Sequence, residues 1–169
     1  MTPVQGPDRE ERLNHMVLAY EKDLLRLCCV YLRDVGLAQD AVQETFLKAY
    51  RHMGRFNGKS SEKTWLMRIA INTCKDMLRG SWFRHVDAAT NLEELPLPVA
   101  PPSVEHIALT SAIMSLPRKQ MEVILLHCDQ GMNIRETAQA LGISPPAVIN
   151  RLKRARSALS IALEGGEAP

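Results

Sequence analysis

"NIRETAQALGISPPAVINRLKRARSAL", residues 133–159, reads as two short helices joined by a tight turn. Asn133 is placed to cap the first helix, and Glu136 three residues on completes a capping box. Ile134, Ala138 and Leu141 then fall on one face, and Gly142 supplies the left-handed residue that ends a helix. Ile143 can plug the space between the helices. Ser144 is a second N-cap, and Pro145 takes the first helical position, where a missing N–H costs nothing. Val148, Leu152, Ala155 and Leu159 recur at helical spacing as a buried stripe.

The opposite face of the second helix carries Pro146, Ile149, Asn150, Lys153 and Ser157, with Arg151, Arg154 and Arg156 on its flanks. No Asp or Glu lies between Glu136 and Glu164. A capped, tight-turned pair with a basic, acid-free second helix predicts a helix-turn-helix that seats that helix in the major groove of DNA. The plainer alternative is a helical hairpin with a solvated basic face. The two caps, the Gly-Ile-Ser-Pro turn and the unbroken positive sign favour DNA.

The rest of the 169-residue chain is consistent with this. Its formal net charge is only +2, so nucleic-acid contacts must come from local patches rather than a coat of cations. The four cysteines, Cys28, Cys29, Cys74 and Cys128, lack metal-site spacing and read as reduced core thiols of a cytosolic protein. No metal or other cofactor is expected. The first eleven residues hold no apolar run of the secretory type, and no stretch approaches transmembrane length, so membrane insertion is not expected.

Upstream, apolar residues recur helically from about Asp8 to Arg33, and Gly36 is expected to break that helix. A second helix is expected from Ala38 to Met53, a Gly- and Ser-containing loop over residues 54–61, and a third helix from Glu62 to Arg79. Residues 86–105 contain no Lys or Arg, four acids and four prolines, the composition of a tether. Helices are expected again over residues 104–114 and 118–128, before the opening stretch. No segment has strand periodicity. The expected fold is all-α: a helical domain at 8–85, an acidic linker at 86–105, and a helix-turn-helix domain at 106–164.

Two more surfaces carry information. The second helix buries Val42, Phe46, Ala49, Tyr50 and Met53, and its polar face holds Asp40, Gln43, Glu44, Lys48 and Arg51. Leu47 projects into that polar face, an apolar anchor with a polar rim. The third helix is expected to bury Trp65, Leu66, Ile69, Thr73 and Met77 and to expose a stripe of Arg68, Asn72, Lys75 and Arg79. Thr64, Met67, Ile71 and Leu78 also point outward on the wheel, while Asp76 falls on the buried side and needs a partner there. The loop before the helix, with Phe56, Asn57, Ser60, Ser61 and Lys63, has the composition to hold an unstacked base.

"DAVQETFLKAY" (residues 40–50), "KTWLMRIAINTCKDMLR" (residues 63–79) and the segment from Leu116 through the opening stretch occur in that order. Together they resemble the extracytoplasmic-function sigma factors, small bacterial transcription initiation factors. The resemblance implies that Asp40, Gln43, Glu44, Leu47 and Arg51 face the β′ clamp helices of core RNA polymerase, and that the second domain meets the β flap. It implies −10 promoter contacts from Phe56, Asn57, Ser60, Ser61, Lys63, Arg68, Asn72, Lys75 and Arg79, with Asn72 near the bases. It implies −35 contacts from Ser144, Pro146, Ala147, Ile149, Asn150, Arg151, Lys153, Arg154 and Arg156. Ala147, Ile149 and the Pro145–Pro146 pair depart from the family's usual residues, which bears on the DNA sequence read rather than on the fold. Ile149 suits a thymine methyl. An anti-sigma factor, often membrane-anchored, is the implied regulator of a cytoplasmic protein.

Three other function classes compete; one, a helical interaction module or adaptor, is separated from a sigma factor by a pull-down with core polymerase, and the other two fit the residues less well. A response-regulator-type DNA-binding protein needs an α/β receiver domain, and residues 8–84 show no strand–helix alternation. An enzyme needs a catalytic constellation. His127, Cys128 and Asp129 are merely adjacent, and a relay assembles from distant segments; neither catalysis nor a small-molecule substrate is expected.

Overall fold

The computed structural model describes residues 7–80 and 104–164. Every regular element among them is helical: α1 Pro7–Leu32, α2 Val35–His52, α3 Glu62–Arg79, α4 Val104–Met114, α5 Arg118–Val123, α6 Ile134–Leu141 and α7 Pro145–Glu164. The expected tether at 86–105 lies, but for its last two residues in α4, outside the described residues.

The α1–α2 corner differs from the sequence expectation. Gly36 does not end a helix; it lies inside α2. The chain turns at Arg33, which is left-handed with φ 58°, and restarts at Asp34, whose carboxylate accepts from the Leu37 amide at 2.7 Å. A Cβ on residue 36 would stand 3.2 Å from that carboxylate, so Gly36 leaves room for the cap. The end of α2 runs into a 3-10 turn, Met53–Arg55, and α3 begins where Ser61 accepts from the Thr64 amide at 3.0 Å.

In the second group of helices, α5 changes to a π-helical turn over Ile124–Asp129, where the Gln130 amide bonds to the Leu125 carbonyl at 3.0 Å. Hydrophobic spacing alone gave no warning of that widening. The capping box is present: Asn133 accepts from the Glu136 amide at 2.8 Å, and Glu136 accepts from the Asn133 amide at 3.4 Å. Gly142 closes α6 in the left-handed conformation, φ 66°. Asn133→Ala is expected to cost about 1 kcal/mol of stability, measured as a lowered denaturation midpoint.

Helices α1, α2 and α3 pack on one another, α7 packs on α4, α5 and α6, and α3 meets α6. The buried apolar residues of the two groups form one continuous cluster, from Met16 and Leu24 in α1 through Leu66 and Ile71 in α3 to Leu126, Val148 and Leu152. No described helix is long and apolar enough to cross a membrane.

Candidate nucleic-acid interface

The helix-turn-helix presents its outer face as the spacing requires. Val148, Leu152 and Ala155 are buried, and Leu159 packs partly against the core. Pro146, Asn150, Lys153, Arg154, Arg156 and Ser157 are exposed, as is Ile149 at 43% despite its apolar side chain. Ala147 and Arg151 are half-buried at the edge. Ser144 is exposed, and its hydroxyl accepts from the Ala147 amide at 3.3 Å, so it acts as the N-cap. None of Arg151, Lys153, Arg154 or Arg156 forms an ion pair among the described residues. Their charge is available to phosphate.

On α3, Arg68, Asn72 and Arg79 are exposed along one line. Lys75 shares that line but sits 3.5 Å from the Glu122 carboxylate of α5. Lys63 donates to the Gln130 carbonyl at 2.9 Å and lies 3.8 Å from Asp23. Thr64, Met67 and Ile71, which project outward on a helix considered alone, are buried. Trp65 and Ile69, assigned from spacing to the core, are only half-buried. Asp76 corrects the wheel: it is 65% exposed, 3.9 Å from Lys48 and 4.0 Å from Arg79. It needed no buried partner, and such exposed pairs contribute little.

The loop before α3 is built from short local bonds. Asn57 accepts from the Lys59 amide at 3.0 Å, and Ser61 is occupied as the α3 cap. Ser60 and Phe56 are half-buried. The Phe56 ring lies 5.1 Å from that of Trp65, tilted by 45°, and the Arg12 guanidinium stands 5.0 Å from the Phe56 centroid. These aromatics belong partly to the core and partly to the rim.

On α2, Asp40, Gln43 and Arg51 are exposed, Glu44 is half-buried, and Leu47 is 50% exposed at their centre. Lys48 turns away, donating to Thr73 Oγ1 at 3.1 Å.

Cys28, Cys29 and Cys74 are buried as expected, whereas Cys128 is exposed. The Cys74 thiol donates to Cys28 Sγ at 3.6 Å. That bond, and then burial, pushes the Cys28 thiol well above its ordinary range; burial pushes Cys29 up to about 12. His127 Nδ1 faces the Met132 carbonyl at 2.6 Å, while Asp129 pairs with Arg26 at 3.0 Å. Among the described residues no cluster of His, Cys, Asp and Glu is placed to hold a metal.

Sequence reasoning did not single out Glu122. It is only 2% exposed, and it accepts from the Tyr31 hydroxyl at 2.7 Å. The signal was present: one carboxylate inside the otherwise apolar run from Met121 to Leu126.

Two family profiles match the chain: sigma-70 region 2 over residues 16–84, and sigma-70 region 4 over residues 106–159. Among curated relatives, the RNA polymerase sigma-H factor of Pseudomonas aeruginosa is 31% identical across 88% of this chain and 84% of its own length. The ECF RNA polymerase sigma factor SigM of Mycobacterium tuberculosis is 33% identical across 83% of this chain and 71% of its own. Among solved structures, CnrH in complex with the cytosolic domain of CnrY aligns with a TM-score of 0.72 and 26% identity, covering 94% of this chain and 91% of that one. The sigma factor RpoE bound to the anti-sigma factor NepR from Bartonella quintana shares the fold, with a TM-score of 0.78 at 22% identity over 93% of this chain and 99% of that one.

Proposed function

The chain belongs to the sigma-70 family, in its extracytoplasmic-function group, and on that premise we propose a division of labour between two DNA readers carried on one enzyme. It is an alternative sigma factor. The domain around α1–α3, residues 8–85, docks on the β′ clamp helices of core polymerase through Leu47 and the rim of Asp40, Gln43, Glu44 and Arg51. The same domain takes the opened −10 strand on Arg68, Asn72 and Arg79, joined by Lys63 and Lys75, with the loop of Phe56, Asn57, Ser60 and Ser61 beside an extruded base. The domain at 106–164 meets the β flap and reads the −35 duplex with Ile149, Asn150, Arg151, Lys153 and Arg154, while Arg156 holds phosphate. Residues 86–105 span the distance between them.

The observation that carries this reading is the outer face of α7: exposed, basic, without ion pairs among the described residues, and lying within the segment matched to region 4. Neither reader need bind tightly alone, because tethering on polymerase raises the effective concentration of each for its own element. Capture of an extruded base offsets an unstacking cost of roughly a few kcal/mol. RNA synthesis itself belongs to the polymerase. The proposed setting is the bacterial cytoplasm, under an anti-sigma factor as in the Bartonella quintana complex.

Footprinting tests the division directly. With core polymerase and this chain together, upstream duplex is protected and downstream thymines become permanganate-reactive; reactivity without protection upstream contradicts the assignment of α7. Asn150→Ala is expected to relax selectivity at one upstream base pair by about 1–3 kcal/mol, read from binding across a point-substituted site. A profile identical to the parent's removes Asn150 from base readout.

A further inference from the structure

The first turns of α1 lie against the segment that joins α2 to α3, and they do so through two arginines. The Arg9 guanidinium stands 6.0 Å from the Tyr50 ring centroid, and that of Arg12 stands 5.0 Å from the Phe56 centroid. A Cβ on residue 54 would come within 3.1 Å of the Arg9 guanidinium, so Gly54 leaves room where Arg9 passes. Arg12 meets both ends of the loop: Phe56 at its start and, 3.8 Å away, the Glu62 carboxylate in the first turn of α3. Phe56 in turn packs on Trp65 at 5.1 Å. Both arginines precede residue 16, where the match to sigma-70 region 2 begins.

A guanidinium laid on a ring keeps its in-plane N–H groups, and the stack fixes the direction in which they point. Here those donors are underused. The Arg9 Nε–H is buried with no hydrogen-bond partner among the described residues. Arg12 is 3.8 Å from Glu62, too far for a hydrogen bond, and 30% of its side chain is exposed. Arg55 and Lys59 are exposed and form no ion pair among the described residues. Residues 53–61 contain no Asp or Glu. Four cations, Arg9, Arg12, Arg55 and Lys59, thus lie in or against this loop, and Glu62 is the carboxylate within ion-pair distance of them. Planar forks of charged donors match a phosphate, which accepts from them two N–H groups at a time.

We propose that Arg9 and Arg12 form a phosphate clamp on the opened −10 strand, gripping its backbone beside the base that the loop receives. The proposal deepens the reading of the 56–61 loop as the base holder and rests on it. Tyr50 and Phe56 hold the two guanidinium planes. Glu62 gives up Arg12 at little cost, because a partly exposed pair of that length contributes little. The clamp carries no sequence information: it positions the strand and leaves base choice to the loop and Asn72.

The test titrates the full chain with labelled mixed-sequence single-stranded DNA over a series of salt concentrations. Arg9→Gln, Arg12→Gln and Arg12→Lys are compared with the parent. Each phosphate contact on a single strand adds about 0.7 to the steepness of log affinity against log salt. Each glutamine variant is expected to lower the slope by about that amount and to weaken binding about tenfold at low salt. Arg12→Lys is expected to keep the charge, and so the slope, while losing affinity with the stacked fork. The slope decides the matter. An arginine that merely steadied the loop would alter affinity or the denaturation midpoint without altering the number of counterions released. Glutamine variants with the parent's slope overturn the clamp, as does a parent whose single-strand binding ignores salt. Core-dependent transcription by the parent is read separately. Failure there refutes the sigma reading, whereas a parent that initiates beside variants of unchanged slope refutes the clamp alone.

Discussion

Leu47→Asp is expected to abolish capture of the chain by core RNA polymerase while leaving the helical circular-dichroism signal of the free protein unchanged. The two halves of that result have different causes. Leu47 is not part of the core of α2; Val42, Phe46 and Ala49 are, and they are buried against α1 and α3. Leu47 stands half-exposed among Asp40, Gln43, Glu44 and Arg51, so a carboxylate there meets water in the free chain and costs the fold little. In the complex the same carboxylate would be buried without a partner in a site shaped for an aliphatic anchor. Truncating or charging such an anchor removes about 2–4 kcal/mol or more, roughly 30- to 1000-fold in Kd. Pull-down with purified core, backed by anisotropy titration, measures it. Association equal to the parent's shows that α2 docks through some other face.

The second large effect is on the fold. Leu66→Ala is expected to lower stability by about 2–5 kcal/mol, because it removes three carbons from a fully buried site and leaves a cavity. For a chain of this size the melting temperature falls on the order of 10 °C. Leu66 lies in the second turn of the helix whose opposite side carries Arg68, Asn72 and Lys75, so the loss is also expected to loosen the proposed −10 reader. Leu163→Ala, at an exposed position of α7, is the control and should change little. Chemical denaturation of both variants decides it. Equal midpoints show that α3 is not held by its core face.

How much of this was legible in the chain follows from what each signal depends on. The helix-turn-helix is specified locally. Asn133, Glu136, Gly142 and Ser144 act on backbone groups within a turn of themselves, each does so in the structure, and Pro145 opens α7. The outer face of α7 was readable for the same reason: no other described element packs on it. Gly36 was misread because glycine has two uses, and spacing cannot tell a helix breaker from a residue that makes room for the Asp34 cap. Asp76 was misplaced because a wheel is ambiguous at its edges, and this carboxylate lies on the exposed side.

The larger gap concerns α3. A single helix shows Thr64, Met67 and Ile71 pointing outward, yet all three are buried in the structure. Lys63 and Lys75 likewise read as free cations until Gln130 and Glu122, more than forty residues away in sequence, are brought beside them. Periodicity reports which face a helix presents, not which distant segment covers it. The identity of the family came through despite this, because three ordered segments identify it without any knowledge of their packing.

Run-off transcription with purified core polymerase on a library of genomic fragments tests the central claim most directly. The account predicts that adding this chain redirects core to a discrete set of start sites sharing two spaced elements, and that Leu47→Asp removes every one of them. Transcripts no different from those of core alone would contradict it.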